Sequence, residues 1–119
     1  MEKSVYDQIG GFAALRKLIV EFYNRVLDDD ELAPIFVNSN MERVIDHQTK
    51  FFAMLFGGPA SYTDDELKKI HDNIKIKNEH FDLTKEHFIE TLEDFDLNAD
   101  HIDHVSNEFE IRRKLIVSE

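Results

Sequence analysis

The chain has 119 residues, 42% apolar and 33% charged, which suits one globular domain over 1–119 with a single buried core. Its net charge of −11 repels phosphate backbones and argues against a nucleic-acid partner, while the absence of cysteine removes disulfides, thiolate catalysis and Cys-based zinc sites. No apolar run is long enough to span a membrane and no apolar stretch follows the polar Met1–Ser4, so the expected location is the cytoplasm.

Four Gly and two Pro leave little punctuation, which favours long helices. Ten Phe and no Trp suit a dense core or a dry pocket. A short first element breaks at Gly10-Gly11. A long helical pattern follows, with Leu15, Leu18, Ile19, Phe22, Tyr23 and Val26 on one face and Arg16, Lys17, Glu21 and Arg25 on the other. Asp28 to Glu31 reads as a solvated turn, and Leu32 to Phe36 as a short turn of helix. Asn38-Ser39-Asn40 supplies capping residues for a helix whose stripe is Met41, Val44, Ile45, Gln48, Phe51, Phe52 and Leu55. Gly57-Gly58-Pro59 ends it. Ser61-Tyr62-Thr63 leads into a short helix capped by Thr63, with Leu67, Ile70, His71 and Ile74 inward. After a polar link, a helix from Glu79 to Phe95 carries Phe81, Phe88, Ile89, Leu92 and Phe95 inward. A last helix carries Ile102, Val105, Phe109 and Leu115. With no strand alternation, the fold class is all-α.

Several polar residues interrupt these apolar stripes. Gln48 lies between Val44-Ile45 and Phe51-Phe52, and a buried amide without a partner costs about 1–3 kcal/mol. A core glutamine satisfied by a backbone carbonyl or a water, and one that meets a bound ligand, are both open on the residues alone. The same holds for Tyr23, whose hydroxyl needs a partner if buried. His71 closes the inward face of a short helix, as either a satisfied core histidine or a metal ligand. His47 stands beside Gln48, at an edge or in a pocket. One ligand held between the helices would account for all of them.

Tyr6-Asp7-Gln8-Ile9-Gly10-Gly11 and Phe22-Tyr23-Asn24-Arg25-Val26-Leu27 resemble the opening of the group I truncated haemoglobins. The resemblance continues through Phe36, Asn40-Met41, His47-Gln48, Phe51-Phe52, Phe56-Gly57-Gly58-Pro59, Tyr62-Thr63, Ile70-His71 and His80-Phe81. It implies a globin-like two-over-two helical sandwich with a shortened first helix and non-covalent haem b. By position, His71 matches the proximal iron ligand. Tyr23 and Gln48 match the distal pair that hydrogen-bonds a dioxygen ligand. Phe36 matches the phenylalanine against the haem face and Phe52 the residue at the mouth of an apolar tunnel. Val44 stands where other globins carry a distal histidine or glutamine. His47 matches a residue that ligates iron on the distal side in some cyanobacterial and algal members. Met41, Phe51, Tyr62, Leu67, Ile70 and Phe81 are expected to complete the haem pocket. Arg43, Lys50, Lys68 and Lys69 would reach its propionates. The sequence departs from the family after His71, where Asp72-Asn73-Ile74-Lys75 replaces a frequent glycine motif. Arg112-Arg113-Lys114-Leu115 has no histidine for a covalent haem link.

The function implied is reversible binding of dioxygen and other diatomic gases, with nitric oxide dioxygenation as the reaction. No flavin or nicotinamide motif is visible, so a separate reductase would supply electrons to a monomeric protein. The alternatives are a six-coordinate bis-histidine redox protein using His47 and His71, and a haem-free helical partner-binding domain. Asp94, Asp96, Asn98 and Asp100 imitate the first half of a calcium loop, but Ala99 and Val105 stand where it needs glycine and glutamate, so the stretch reads as an interhelical turn. His101 and His104 read as surface imidazoles.

Overall fold

The computed structural model describes residues 4–58, 63–71 and 75–117, apart from the side chain of Ile70. The expectations placed on Pro59, Ser61, Tyr62, the Ile70 side chain and the Asp72–Ile74 stretch lie outside the described residues.

Helix α1 (Val5–Ile9) starts where the Ser4 hydroxyl accepts from the Asp7 amide, and it ends at Gly10. Gly10 has φ +109°, a left-handed conformation that costs a side-chain-bearing residue about 1–2 kcal/mol. Helix α2 (Phe12–Asp28) buries all six residues of the stripe read from its periodicity. A short 3₁₀ turn (Ala33–Phe36) leads to α3 (Met41–Leu55), which Asn40 caps by accepting from the Arg43 amide. Helix α4 (Asp64–His71) opens on a capping box. The Thr63 hydroxyl accepts from the Glu66 amide, and the Thr63 amide donates back to the Glu66 carboxylate. Helices α5 (Asn78–Asp94), α6 (Ala99–Glu110) and α7 (Arg113–Ile116) complete the chain.

Helix α2 packs on α3 and α5, and α6 packs on α5 and α3, so the four long helices form two crossed pairs. This is the two-over-two sandwich. Its core is aromatic. The Phe88 ring lies within 6.4 Å, centroid to centroid, of Phe22, Phe52, Phe56 and Phe109. Helix α1 seals the end of α3: the Tyr6 amide donates to the Phe56 carbonyl, and a Cβ on Gly58 would come within 2.6 Å of the Tyr6 ring.

Three expectations need correction. Phe95 is not inward but 40% exposed, because it is the C-cap of α5, where the chain leaves the helix in a left-handed turn at Asp96. That turn bonds Leu97 N–H to Leu92 C=O and Asp96 N–H to Glu93 C=O, after which the Asn98 side chain caps α6. The last helix is two helices, because the chain breaks at Ile111–Arg112, and Ile116 rather than Leu115 is its buried apolar residue. Finally, Asp29 is not simply solvated. One carboxylate oxygen accepts from the Glu31 amide, and the other lies 2.8 Å from His87 Nε2.

Candidate functional site

Helices α2, α3, α4 and α5, with the C-terminal residues, surround a cavity of about 760 Å³, within the size range typical of small-molecule sites. Phe22, Phe36, Val44, Phe51, Phe52, Phe81 and Phe109 make its walls apolar. Its rim is polar, formed by Asn38, Ser39, Asn40, Arg43 and an exposed His47. The long helices are amphipathic, but they cross at the centre and leave this volume beside the crossing rather than filling it.

His71 lines the cavity from the last turn of α4. Its Nδ1 lies 2.8 Å from the Leu67 carbonyl. A carbonyl only accepts, so Nδ1 carries the proton and Nε2 keeps its lone pair. Burial lowers the ring's pKa below the usual histidine value, which favours the neutral form. This is the tautomer a metal-ligating histidine adopts when a backbone carbonyl orients it.

A second histidine on the wall, His80, has the opposite tautomer. Its Nδ1 accepts from the Lys77 amide at 3.2 Å, which puts the proton on Nε2. Of these two imidazoles, only His71 offers a ring lone pair beyond its bond to the backbone. In sequence His80 is part of the family motif but carries no role, and Thr84, Ile76, Ile35 and Ile116, which also line the cavity, have no site signal. The signal for His80 was its place in the first turn of α5, where a polar side chain can satisfy a backbone donor.

Tyr23 is buried and lines the cavity, with Phe36 edge-on to its ring at 5.7 Å. Burial raises the pKa of its phenol well above the usual value, so the hydroxyl remains a donor at physiological pH. Gln48 lines the same cavity from α3. Neither the Tyr23 hydroxyl nor the Gln48 amide has a hydrogen-bond partner among the described residues. In an apolar cavity such groups invite a polar ligand.

The structure therefore brings together Tyr23, Phe36, Arg43, Val44, His47, Gln48, Phe51, Phe52, His71 and Phe81. It does not put Met41, Lys50, Leu67, Lys68 or Lys69 on the cavity wall. Met41 is half-buried against the core, and Leu67 is buried in it. Lys50 is exposed, just outside the arc of α3 that runs from Arg43 to Phe52, and Lys68 and Lys69 are exposed on α4. Of the four proposed cations, only Arg43 borders the cavity.

Comparison with known proteins agrees with this geometry. The bacterial-like globin family model matches residues 4–117. A group 1 truncated hemoglobin of Mycolicibacterium paratuberculosis is 40% identical over 89 residues, covering 75% of this chain and 65% of the relative. One from Tetrahymena thermophila is 32% identical over 113 residues, covering 95% and 93%. The chain belongs to the group 1 truncated haemoglobins. Among solved structures, the truncated hemoglobin of Tetrahymena pyriformis in its Fe(III) form superposes with a TM-score of 0.87 at 28% identity, covering 98% of this chain and all of that one. The 2/2 hemoglobin of Synechococcus sp. PCC 7002, a cyanomet form with covalently attached heme, gives the same score, identity and coverage.

As a truncated haemoglobin the chain takes haem and binds small gaseous ligands at it. The residues present fit that group. A macrocycle needs apolar walls and one imidazole nitrogen free to coordinate, and the cavity has both.

Proposed function

We propose that this truncated haemoglobin binds dioxygen reversibly and uses it to convert nitric oxide to nitrate. The observation that carries the proposal is the pair of unpartnered polar groups, Tyr23 and Gln48, in the same apolar cavity as the ligand-competent nitrogen of His71. Bound haem supplies the ferrous iron at which a diatomic gas coordinates, and the electron that nitrate formation consumes. His71 would hold the group through Nε2, its ring fixed by the Leu67 carbonyl. The Tyr23 hydroxyl and the Gln48 amide would donate to a polar gas ligand held between them, and hydrogen bonds to a charged acceptor contribute about 1.5–3 kcal/mol each. Phe36, Phe51 and Phe52 exclude water from those bonds and so strengthen them. Nitric oxide, dioxygen and one electron balance to nitrate, so each turnover draws one electron. A separate reductase returns it to this cytoplasmic monomer.

A second reading rests on His47, which borders the same cavity. Its imidazole would close the distal side and make a bis-histidine redox protein.

One experiment addresses both. Protein expressed with ample haem is compared with His71→Ala and His47→Leu by ferric and ferrous absorption spectra. An intense Soret band that His71→Ala loses, and that added imidazole restores, supports His71 as the ligand. Folded, colourless protein that takes up no added haem would overturn the proposal. A low-spin ferric spectrum that turns high-spin in His47→Leu would favour the bis-histidine reading. A spectrum indifferent to that change would remove it.

A further inference from the structure

Helix α4 carries His71 but is not part of the crossed pairs. Its main packing partner among the described residues is α7, the four-residue turn at the C-terminal end. What holds α7 in place therefore bears on where His71 sits. Arg113, the first residue of α7, makes that attachment. Its guanidinium donates to both carboxylate oxygens of Glu110 at 2.6 and 2.9 Å, to Asp82 at 2.5 Å and to the Asn78 side-chain oxygen at 3.2 Å. Asp82 and Asn78 belong to the start of α5, so these bonds tie α7 across to another helix. The guanidinium carbon also lies 4.4 Å from the centroid of the Phe81 ring, and Phe81 stacks on Phe109 at 4.5 Å with an interplanar angle of 11°. Both rings line the cavity, as does Ile116 of α7 itself.

Other ion pairs of the described residues connect different elements. Arg16 pairs with Asp46, joining α2 to α3, and Arg25 pairs with Asp94, joining α2 to α5. Arg112, between α6 and α7, bonds back to Glu108 of α6. Lys85 reaches Glu110 and ties α5 to α6. A planar fork of five donors is needed to serve acceptors on two helices while lying over a ring, and arginine has that shape where lysine does not.

We propose that Arg113 is a positioning residue for His71: it clamps α7 to the start of α5 and to the Phe81 wall, and α7 in turn holds α4 and the His71 imidazole against the cavity. The proposal deepens the haem reading and rests on it for its spectroscopic consequence. Its mechanical consequence, the ordering of α4, stands on the packing alone. The state of Glu110 fits the clamp, since Arg113 foremost and Lys85 next hold its carboxyl well below the ordinary carboxylate range.

The test compares the haem-loaded full chain with Arg113→Gln, Arg113→Lys and, as a control ion pair in the sandwich, Arg25→Gln. The readouts are the iron–histidine stretching band of the ferrous unliganded form, the rate of haem transfer to excess apomyoglobin, and hydrogen exchange at 64–71. Arg113→Gln is expected to shift or broaden the band and to speed haem transfer severalfold, less than loss of a direct hydrogen-bond partner of His71 would. It should also speed exchange at 64–71 about tenfold while leaving α2 and α3 unchanged. Arg113→Lys should fall between it and the parent, and Arg25→Gln should leave band and exchange in place. An Arg113→Gln protein with the parental band, transfer rate and exchange would overturn the proposal, as would equal changes in Arg25→Gln. A parent protein that takes up no haem would sink the haem reading alone, and exchange at 64–71 would then decide the clamp.

Discussion

The two sides of the sandwich use the same residue types to opposite ends. Around Phe88 the rings of Phe22, Phe52, Phe56 and Phe109 face one another and fill the space, and Phe88 has no exposure. The buried threonines there return their hydroxyls to the helix, Thr49 to the Ile45 carbonyl and Thr91 to that of His87, both at 2.7 Å. On the other side, Phe36, Phe51 and Phe81 line an open cavity, and Tyr23 and Gln48 point polar groups into it with no described protein partner. Those threonines are satisfied within their own helices, whereas Tyr23 and Gln48 are left to a ligand.

The comparison breaks most visibly at Phe88. Phe88→Ala should cost about 3–5 kcal/mol, read as a lower urea midpoint, because four neighbouring rings lose their contact and cannot collapse together. Tyr23→Phe should do the reverse, leaving the midpoint within about 1 kcal/mol while dioxygen dissociates about ten- to a hundredfold faster in stopped flow, the rate equivalent of one charge-assisted bond. A large stability loss with unchanged dissociation would put Tyr23 on the self-satisfied side instead.

A smaller effect concerns acid. The Glu110 pKa is depressed to about 2 when folded, against an ordinary value of 4.5. A depressed carboxyl contributes stability that is fully present above its unfolded pKa and lost as pH falls through the folded one. Glu110→Gln should therefore lower stability at pH 7 by about 1 kcal/mol or less, since its side chain is 36% exposed and screened by solvent, with the gap to the parent closing between pH 4.5 and pH 2. Parallel acid-unfolding curves for the two proteins would show that the Arg113 and Lys85 pairs contribute nothing net.

Much of the site was legible before any coordinates. Leu15, Leu18, Ile19, Phe22, Tyr23 and Val26 follow a helical period, and all six are buried. Asn40 and Thr63 cap the helices they precede. Tyr23, Gln48 and His71 stood out because each set a polar group on an apolar stripe, and the order of short motifs joined them. The misses were long-range. Phe95 continues a stripe yet faces solvent, because a helix stripe is buried only as far as its neighbour extends. Lys50, Lys68 and Lys69 lie off the cavity wall, because sequence distance says little about which arc of a helix borders a void. His80 and Arg113 looked like ordinary polar residues at helix starts.

The sequence by itself determined the helices, their caps and the apolar faces that must meet, since each depends on residues within a turn or two of one another. It also carried the family, through the order of its motifs. Only the tertiary structure decided which histidine presents a lone pair, because a tautomer is set by the partner of the other ring nitrogen, a carbonyl for His71 and an amide for His80. It alone decided where the void lies, which polar groups border it, and that a short C-terminal turn packs on the His71 helix, because those depend on how rigid helices cross and no local pattern encodes the crossing.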